Sequence, residues 1–282
     1  MTIAVTGATG QLGRIVIAKL KAKLPAAEIV ALVRDPAKAA DLGVSARAAD
    51  YTKTDQLAAA LKGVDKLLLI SSSEIGQRAT QHANVIAAAK QAGVKLIAYT
   101  SILHADSSPL GLAVEHRATE AALKASGIAY AILRNGWYGE NYTAAIAGAV
   151  PNGGIVGSAG DGKISAATRE DYAEAAAAVL TGSGHENKIY ELAGDDAFTM
   201  ADLAAEVSKQ TGKSIGYNNL PEAAYADILK SVGLPEAFAA LLADSDTGTS
   251  KGGLFDGSRT LSKLIGRPTT PIAKVVTAVL KG

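Results

Sequence analysis

The sequence predicts an α/β fold in which a doubly wound parallel sheet is joined to a smaller, mostly helical C-terminal part. Three observations lead there. Short runs rich in Val, Ile and Leu alternate with longer stretches of helical periodicity through the first half of the chain, the pattern of βαβ units. Those runs show little polar/apolar alternation, as expected of strands covered by helices on both faces. A glycine-rich turn, Gly7-x-x-Gly10-x-x-Gly13, follows directly on the first run.

The elements fall in order. "TIAVT" (2–6) is the first strand and "QLGRIVIAKLKAKL" (11–24) the first helix. "EIVALVR" (28–34), the weaker "VSARAAD" (44–50) and the helix "TDQLAAALKG" (54–63) complete a half-sheet of three strands. "DKLLLI" (65–70), the helix "TQHANVIAAAKQAG" (80–93), "KLIAYTS" (95–101) and "AYAILRN" (129–135) build the second half. Beyond residue 145 the texture changes to a glycine-rich stretch (149–171) and Ala-rich helical patterns at 170–181, 199–211 and 221–246. The expected division is therefore a dinucleotide-binding domain over 1–145 and a substrate-binding part over 146–282 that is interleaved with the sheet edge.

Composition narrows the function. With 282 residues and 48% hydrophobic content the chain can bury a substantial core. Its 28 basic residues nearly balance 27 acidic ones, so there is no electrostatic footprint for nucleic acid or an anionic membrane. The absence of cysteine removes disulfide, thiolate and Cys-type metal chemistry and suits a reducing compartment. No basic flank or long apolar run opens the chain, so a cytoplasmic protein without membrane or metal is expected, as a monomer or homodimer. Aromatic residues are few, and "GWYGENY" (136–142) gathers several of them just past a strand end, where ligand crevices of open α/β sheets lie.

The loop Gly7, Ala8, Thr9, Gly10, Gln11, Leu12 has the chemistry of a nucleotide cradle. Its glycines permit a tight turn, close approach of a pyrophosphate and close helix packing, and the following helix presents N–H groups and its dipole to phosphate. Arg34 ends the second strand, where an NAD-selective fold places an acidic residue; a guanidinium there suits a 2′-phosphate, although Asp35 could still turn to a ribose. NADPH is the expected cofactor, with NADH weaker.

"TGATGQLG", "ALVRDPAKA", "AADYTKTDQLAAALKGVDKLLLIS", "AGVKLIAYTS", "LRNGWYGENY" and "LSKLIGRPTTP" together resemble the NmrA-like branch of the atypical short-chain dehydrogenase/reductases, along essentially the whole chain. The resemblance implies a Rossmann domain with Arg34 at the 2′-phosphate and Ser71, Ser72 and Ser73 near the middle of the cofactor. It also implies that Asn135, Gly136, Trp137, Tyr138, Gly139 and Glu140 line the nicotinamide side, with Asp50 and Tyr51 near the adenine. Arg169 is either a helix-start surface charge or a contact to the cofactor phosphate.

One departure carries the chemistry. The wider superfamily has Tyr-x-x-x-Lys at the helix after the fifth strand; here Leu112 stands at the Tyr position, His116 at the Lys position, and Glu120 one turn on. His116 and Glu120 can pair at i, i+4, leaving His116 as either a satisfied interior histidine or a contact to ribose or substrate. Without the tyrosine a ketone lacks its general acid, whereas hydride addition to a quinone gives an anion delocalised into a new aromatic ring. A quinone or similar electron-poor acceptor is therefore expected, reduced directly without flavin. His116 and Tyr138 are the candidate catalytic groups, Tyr138 or Tyr142 being placed to replace the lost donor. Ile75, His104, Trp137 and Phe238 are candidates for the acceptor pocket, Phe238 from a lid-like segment at 234–242. An NADP-binding regulatory protein and a carbonyl reductase with relocated acid chemistry are the alternatives.

Overall fold

The computed structural model describes residues 1–281. In chain order the elements are β1 (Ile3–Thr6), α1 (Gln11–Lys21), β2 (Ile29–Val33), β3 (Ser45–Ala48), α2 (Thr54–Ala60), β4 (Lys66–Leu69), α3 (Arg78–Gln91), β5 (Leu96–Ile102), α4 (Ala113–Ala125) and β6 (Ala129–Asn135). There follow α5 (Thr143–Asn152), β7 (Gly154–Gly157), α6 (Arg169–Thr181), β8 (Lys188–Leu192), α7 (Met200–Thr211), β9 (Gly216–Asn219), α8 (Glu222–Ser231), α9 (Glu236–Ser250), α10 (Thr260–Ile265) and α11 (Ile272–Lys281).

Seven strands form one sheet in the order β3-β2-β1-β4-β5-β6-β8, and β1 through β6 pair in parallel. The order reverses between β1 and β4, the switch point at which doubly wound folds bind dinucleotides. Every residue of β1, β2 and β5 is buried, which accounts for the unbroken apolar reading of those strands. Leu67 and Leu69 of β4 pack with Leu57 and Leu61 below α2, Val85 and Ile86 of α3, and Ile97 and Tyr99 of β5. Each such side chain contributes roughly 1.5–3 kcal/mol by leaving water, so this layer fixes the strand ends from which the candidate loops spring.

The chain makes two compact units. The first comprises Met1–Ile102, Val114–Asn135 and Arg169–Tyr190; in it α6 packs against α1. The second comprises Leu103–Ala113, Gly136–Thr168 and Glu191–Gly282, and holds a small parallel sheet of β7 and β9. That sheet, and strand β8, add β-structure to a region read from the sequence as mostly helical. The segment 221–246 is two helices: Gly233 turns the chain with φ +94°, and Pro235 starts α9. Among the described residues no helix is long and apolar enough to cross a membrane, and no cluster of His, Cys, Asp or Glu could hold a metal ion.

Candidate active site

The glycine turn is built for close approach. Gly7 has φ +57°, and a side chain at Gly13 would put its Cβ 2.3 Å from the Gly7 carbonyl oxygen, so α1 can lie against the loop only with glycine there. Gly10 N–H donates to Gly7 O at 2.9 Å, and the Thr9 carbonyl accepts from Arg14 Nε at 3.1 Å. Ala8 and Leu12 are buried while Gln11 is exposed. No side chain caps α1, so the first-turn N–H groups from Gln11 onward lack a protein acceptor and concentrate the positive end of the helix dipole. A pyrophosphate fits this cradle.

Beyond β2, Arg34 projects a side chain that is 78% exposed, with Nη1 3.3 Å from Glu74 Oε1. Asp35 accepts through Oδ1 from Ala37 N at 3.0 Å and caps a 3-10 turn, which occupies one oxygen of the carboxylate. Asp50 turns inward on its own loop, accepting from Thr52 N and Oγ1 at 2.9 and 2.7 Å; these bonds lower its pKa. The Tyr51 hydroxyl points to Thr6 Oγ1 and the Ile70 carbonyl, and burial raises its pKa. The loop after β4 is anchored through Ser71 N to Thr100 Oγ1 (2.9 Å) and Ser72 N to His82 Nε2 (3.0 Å), leaving Ser73 exposed and Ile75 48% exposed. At the end of β6, Asn135 is buried with its Oδ1 unpartnered, an acceptor that a ligand amide would satisfy. Arg169 opens α6 beside α1, where Lys19 pairs with Glu170 at 2.7 Å.

The helix after β5 differs from the sequence expectation. His116 is only 4% exposed; its Nδ1 lies 2.7 Å from the Tyr99 hydroxyl, not against Glu120. Burial, followed by the nearby Arg78 and His82, holds its pKa well below the ordinary histidine value, so the ring is neutral at pH 7. Glu120 is instead taken by Arg134, whose Nε and Nη2 reach its two oxygens at 2.9 and 2.6 Å, while Ser101 Oγ donates at 2.6 Å. A guanidinium fork outcompetes a neutral imidazole for a buried carboxylate. Tyr142 packs edge-on to Phe198 in the core of the second unit, 5.7 Å between centroids, which withdraws it from the donor role.

In the second unit the segment after Asn135 runs beside Ala167 and Leu192. Gly136 N donates to Leu192 O (2.7 Å), Gly139 N to Ala167 O (2.8 Å) and Ala167 N to Trp137 O (3.2 Å). Trp137, Tyr138 and Glu140 are half-buried. Glu140 also borders an apolar cavity of about 620 Å³ with Thr143, Thr168, Lys274 and Val275. His104 sits at φ 52°, unusual for a non-glycine residue; its backbone N–H donates to Glu191 Oε2 (2.8 Å) and its Nε2 to the Phe255 carbonyl (3.0 Å). Phe238, in the first turn of α9, is 45% exposed.

Residues 1–269 match the model of the NmrA-like family. The chain is 62% identical to quinone oxidoreductase 2 of Escherichia coli over 277 residues, 97% of each chain. The crystal structure of the NADPH-dependent quinone oxidoreductase from E. coli complexed with NADPH superimposes with a TM-score of 0.97 at 61% identity, covering 99% of this chain and all of that one. The Citrobacter sp. triphenylmethane reductase complexed with NADP(H) gives a TM-score of 0.95 at 40% identity, with 99% and 100% coverage. With its glycine cradle, parallel sheet and near-complete match to the family model, the chain belongs to the NmrA-like family.

Proposed function

We propose that this protein is an NADPH-dependent oxidoreductase that delivers hydride directly to a quinone or a comparable electron-poor acceptor, without flavin. The observation that carries the cofactor assignment is the pairing of an uncapped, glycine-packed helix start with an exposed Arg34 whose neighbour Asp35 caps a turn through one oxygen. The first-turn N–H groups of α1 take the pyrophosphate, Arg34 takes the 2′-phosphate, and Asn135 Oδ1 accepts from the carboxamide end. Bound NADPH supplies the hydride from its nicotinamide ring.

The chain contributes position and shelter. Leu112 brings no hydroxyl, and neutral His116, fixed by Tyr99, acts as a rigid hydrogen-bonding group instead of an acid. A reduced quinone spreads its charge over an aromatic ring, so a proton from Tyr138 or water is sufficient; a simple ketone would need a stronger, closer donor. Within the second unit Trp137, His104 and Phe238 are the candidate acceptor residues, and in the first Ile75 is 48% exposed. The 62% identity to a quinone oxidoreductase over nearly the full length supports this acceptor class.

The test is anaerobic mixing of the purified protein with NADPH and, in turn, benzoquinone, naphthoquinone, a cationic triarylmethane dye and an activated ketone, following cofactor absorbance. Turnover of the first three and not the ketone is expected. Tight NADPH binding with no turnover of any acceptor overturns the enzyme assignment in favour of a nucleotide-sensing role. For the cofactor, Arg34→Ala should weaken NADPH by about 10- to 100-fold, the worth of a charge-assisted contact, while NADH is nearly unaffected; equal losses would remove Arg34 from the 2′-phosphate.

A further inference from the structure

Ser72 is held in an unusual way. Its N–H donates to His82 Nε2 at 3.0 Å, and its carbonyl accepts from Arg78 Nε at 2.8 Å. Both main-chain groups of one loop residue are thus satisfied by side chains, and the two side chains are i and i+4 on a single face of α3. Arg78 and His82 are themselves buried and held by α4. Glu115 accepts from Arg78 Nη1 (3.4 Å) and, through Oε1, from the backbone N–H groups of Gly76 and Arg78 (3.1 Å each), supplying the cap that α3 lacks locally.

The bonding pattern fixes the histidine's proton. Because Nε2 accepts from the Ser72 N–H, the proton resides on Nδ1, which donates to Thr119 Oγ1 at 2.9 Å; the Thr119 hydroxyl in turn donates to the Glu115 carbonyl at 3.0 Å. A charged imidazole would present a donor to a donor at Ser72, and burial, with Arg78 nearby, pushes the His82 pKa down to about 3, so this clash does not arise near neutrality.

We propose that Arg78 and His82 are positioning residues, a two-point clamp on the Ser72 peptide that sets the Ser71–Ser73 segment for the dinucleotide, with Thr119 and Glu115 holding the clamp in register. The loop has no regular structure of its own, and its flanking residues Ser73 to Gln77 are exposed. What the clamp supplies is preorganisation, so that cofactor binding does not have to order the loop. This inference rests on the Ser71–Ser73 segment meeting NADPH.

The experiment compares His82→Leu, His82→Gln and Thr119→Val with wild type by three readings: the KM for NADPH against kcat, the thermal midpoint, and amide hydrogen exchange at Ser72. His82→Leu should raise the KM for NADPH about tenfold with a much smaller change in kcat, the loss of one buried hydrogen bond at the binding step, and should speed Ser72 exchange selectively over the β4 amides. His82→Gln, which restores an acceptor, should recover most of both. If His82→Leu does not fold, the near-isosteric Thr119→Val carries the same expectation at reduced size. A drop in thermal midpoint with unchanged KM and unchanged Ser72 exchange overturns the clamp. Selective Ser72 exchange with unchanged KM also overturns it as a cofactor device. Failure of the proposed NADPH-dependent activity is distinct, because then wild type itself does not turn over NADPH; a segment that does not meet NADPH shows as selective Ser72 exchange with unchanged KM.

Discussion

The two compact units bury titratable groups in opposite ways. In the first, buried charge is compensated: Arg134 and Glu120 form a two-point ion pair, Arg78 and Glu115 a single-contact one, and His82 and His116 are kept neutral with hydrogen-bond partners. In the second, Asp246 of α9 is half-buried with no ion-pair partner among the described residues. Burial raises its pKa to about 6 against the opposing pull of the Ser158 N–H at 2.9 Å. Around it lie Tyr217 and Tyr225, whose hydroxyl pKa values are also raised by burial, and Ser158, whose Oγ has no partner. Compensated polar groups stand where strand-end loops must be placed to an ångström; the uncompensated carboxyl stands where pH can change the local balance. Polar burial in the first unit therefore specifies geometry, and in the second it costs stability at neutral pH.

Breaking the compensation gives the largest effect. Glu120→Ala would remove the carboxylate that pairs with the Arg134 guanidinium, 5% exposed, and take the acceptor from the Ser101 hydroxyl in the core between β5, α4 and β6. Removing one partner of a buried pair costs about 3–5 kcal/mol. Urea unfolding at pH 7 measures it, and a loss below about 1 kcal/mol, the size of a surface pair, would show that the pair is solvated and the contrast between the units false.

How much of this was legible in the sequence follows the same division. The strands of the first unit announce themselves because a sheet covered on both faces buries every position, so "IVALV" is apolar throughout and "LIAYTSI" carries only the Tyr99, Thr100 and Ser101 hydroxyls, which are hydrogen-bonded inside. The cradle was legible because Gly13 serves a contact only six residues away, at Gly7. Arg34 and Asp35 were readable as alternatives, and the local Asx-type cap on Ala37 shows only where one oxygen of Asp35 goes. The clamp was not legible: the Thr119 that orients His82 is 37 residues distant, and nothing local distinguishes His82 from any histidine on a helix. Glu120 misled because i, i+4 spacing reports proximity and not preference; its partner comes from β6. Strands β7 and β9 read "GIVG" and "GYNN", glycine- and asparagine-bearing segments with little intrinsic strand signal.

The uncompensated carboxyl predicts a gain. For Asp246 the folded-state pKa of about 6 lies above the ordinary 3.8, so between those values the native state binds more protons than the unfolded chain. The associated stability is present below pH 3.8 and is lost as pH rises through 6. Asp246→Asn keeps an acceptor for the Ser158 N–H and removes the charge, so it should stabilise the protein by about 2–3 kcal/mol at pH 7.5, with the gain vanishing near pH 4. Denaturant titrations at the two pH values check this. The opposite sign, a loss at pH 7.5, would mean that Asp246 has a cationic partner in solution and that the second unit is compensated after all.

The smallest stability change is expected on the apolar surface of the second unit. Of the three phenylalanines Phe198 is buried, while Phe238 and Phe255 are both partly exposed, Phe255 under the Lys163 ammonium at 5.6 Å. Phe238 has no such partner; it projects from the first turn of α9, immediately after the Gly233–Pro235 break that ends α8. Truncating a half-exposed ring away from the core changes stability by no more than about 0.5 kcal/mol. A flat face held ready for an acceptor would nonetheless register in kinetics: Phe238→Ala should raise the KM for naphthoquinone several-fold, leaving kcat and the KM for NADPH unchanged, as loss of uniform substrate binding does. A stability loss of about 2 kcal/mol or more would place the ring in a core closed in solution. Unchanged KM with unchanged stability would leave Phe238 an ordinary surface residue.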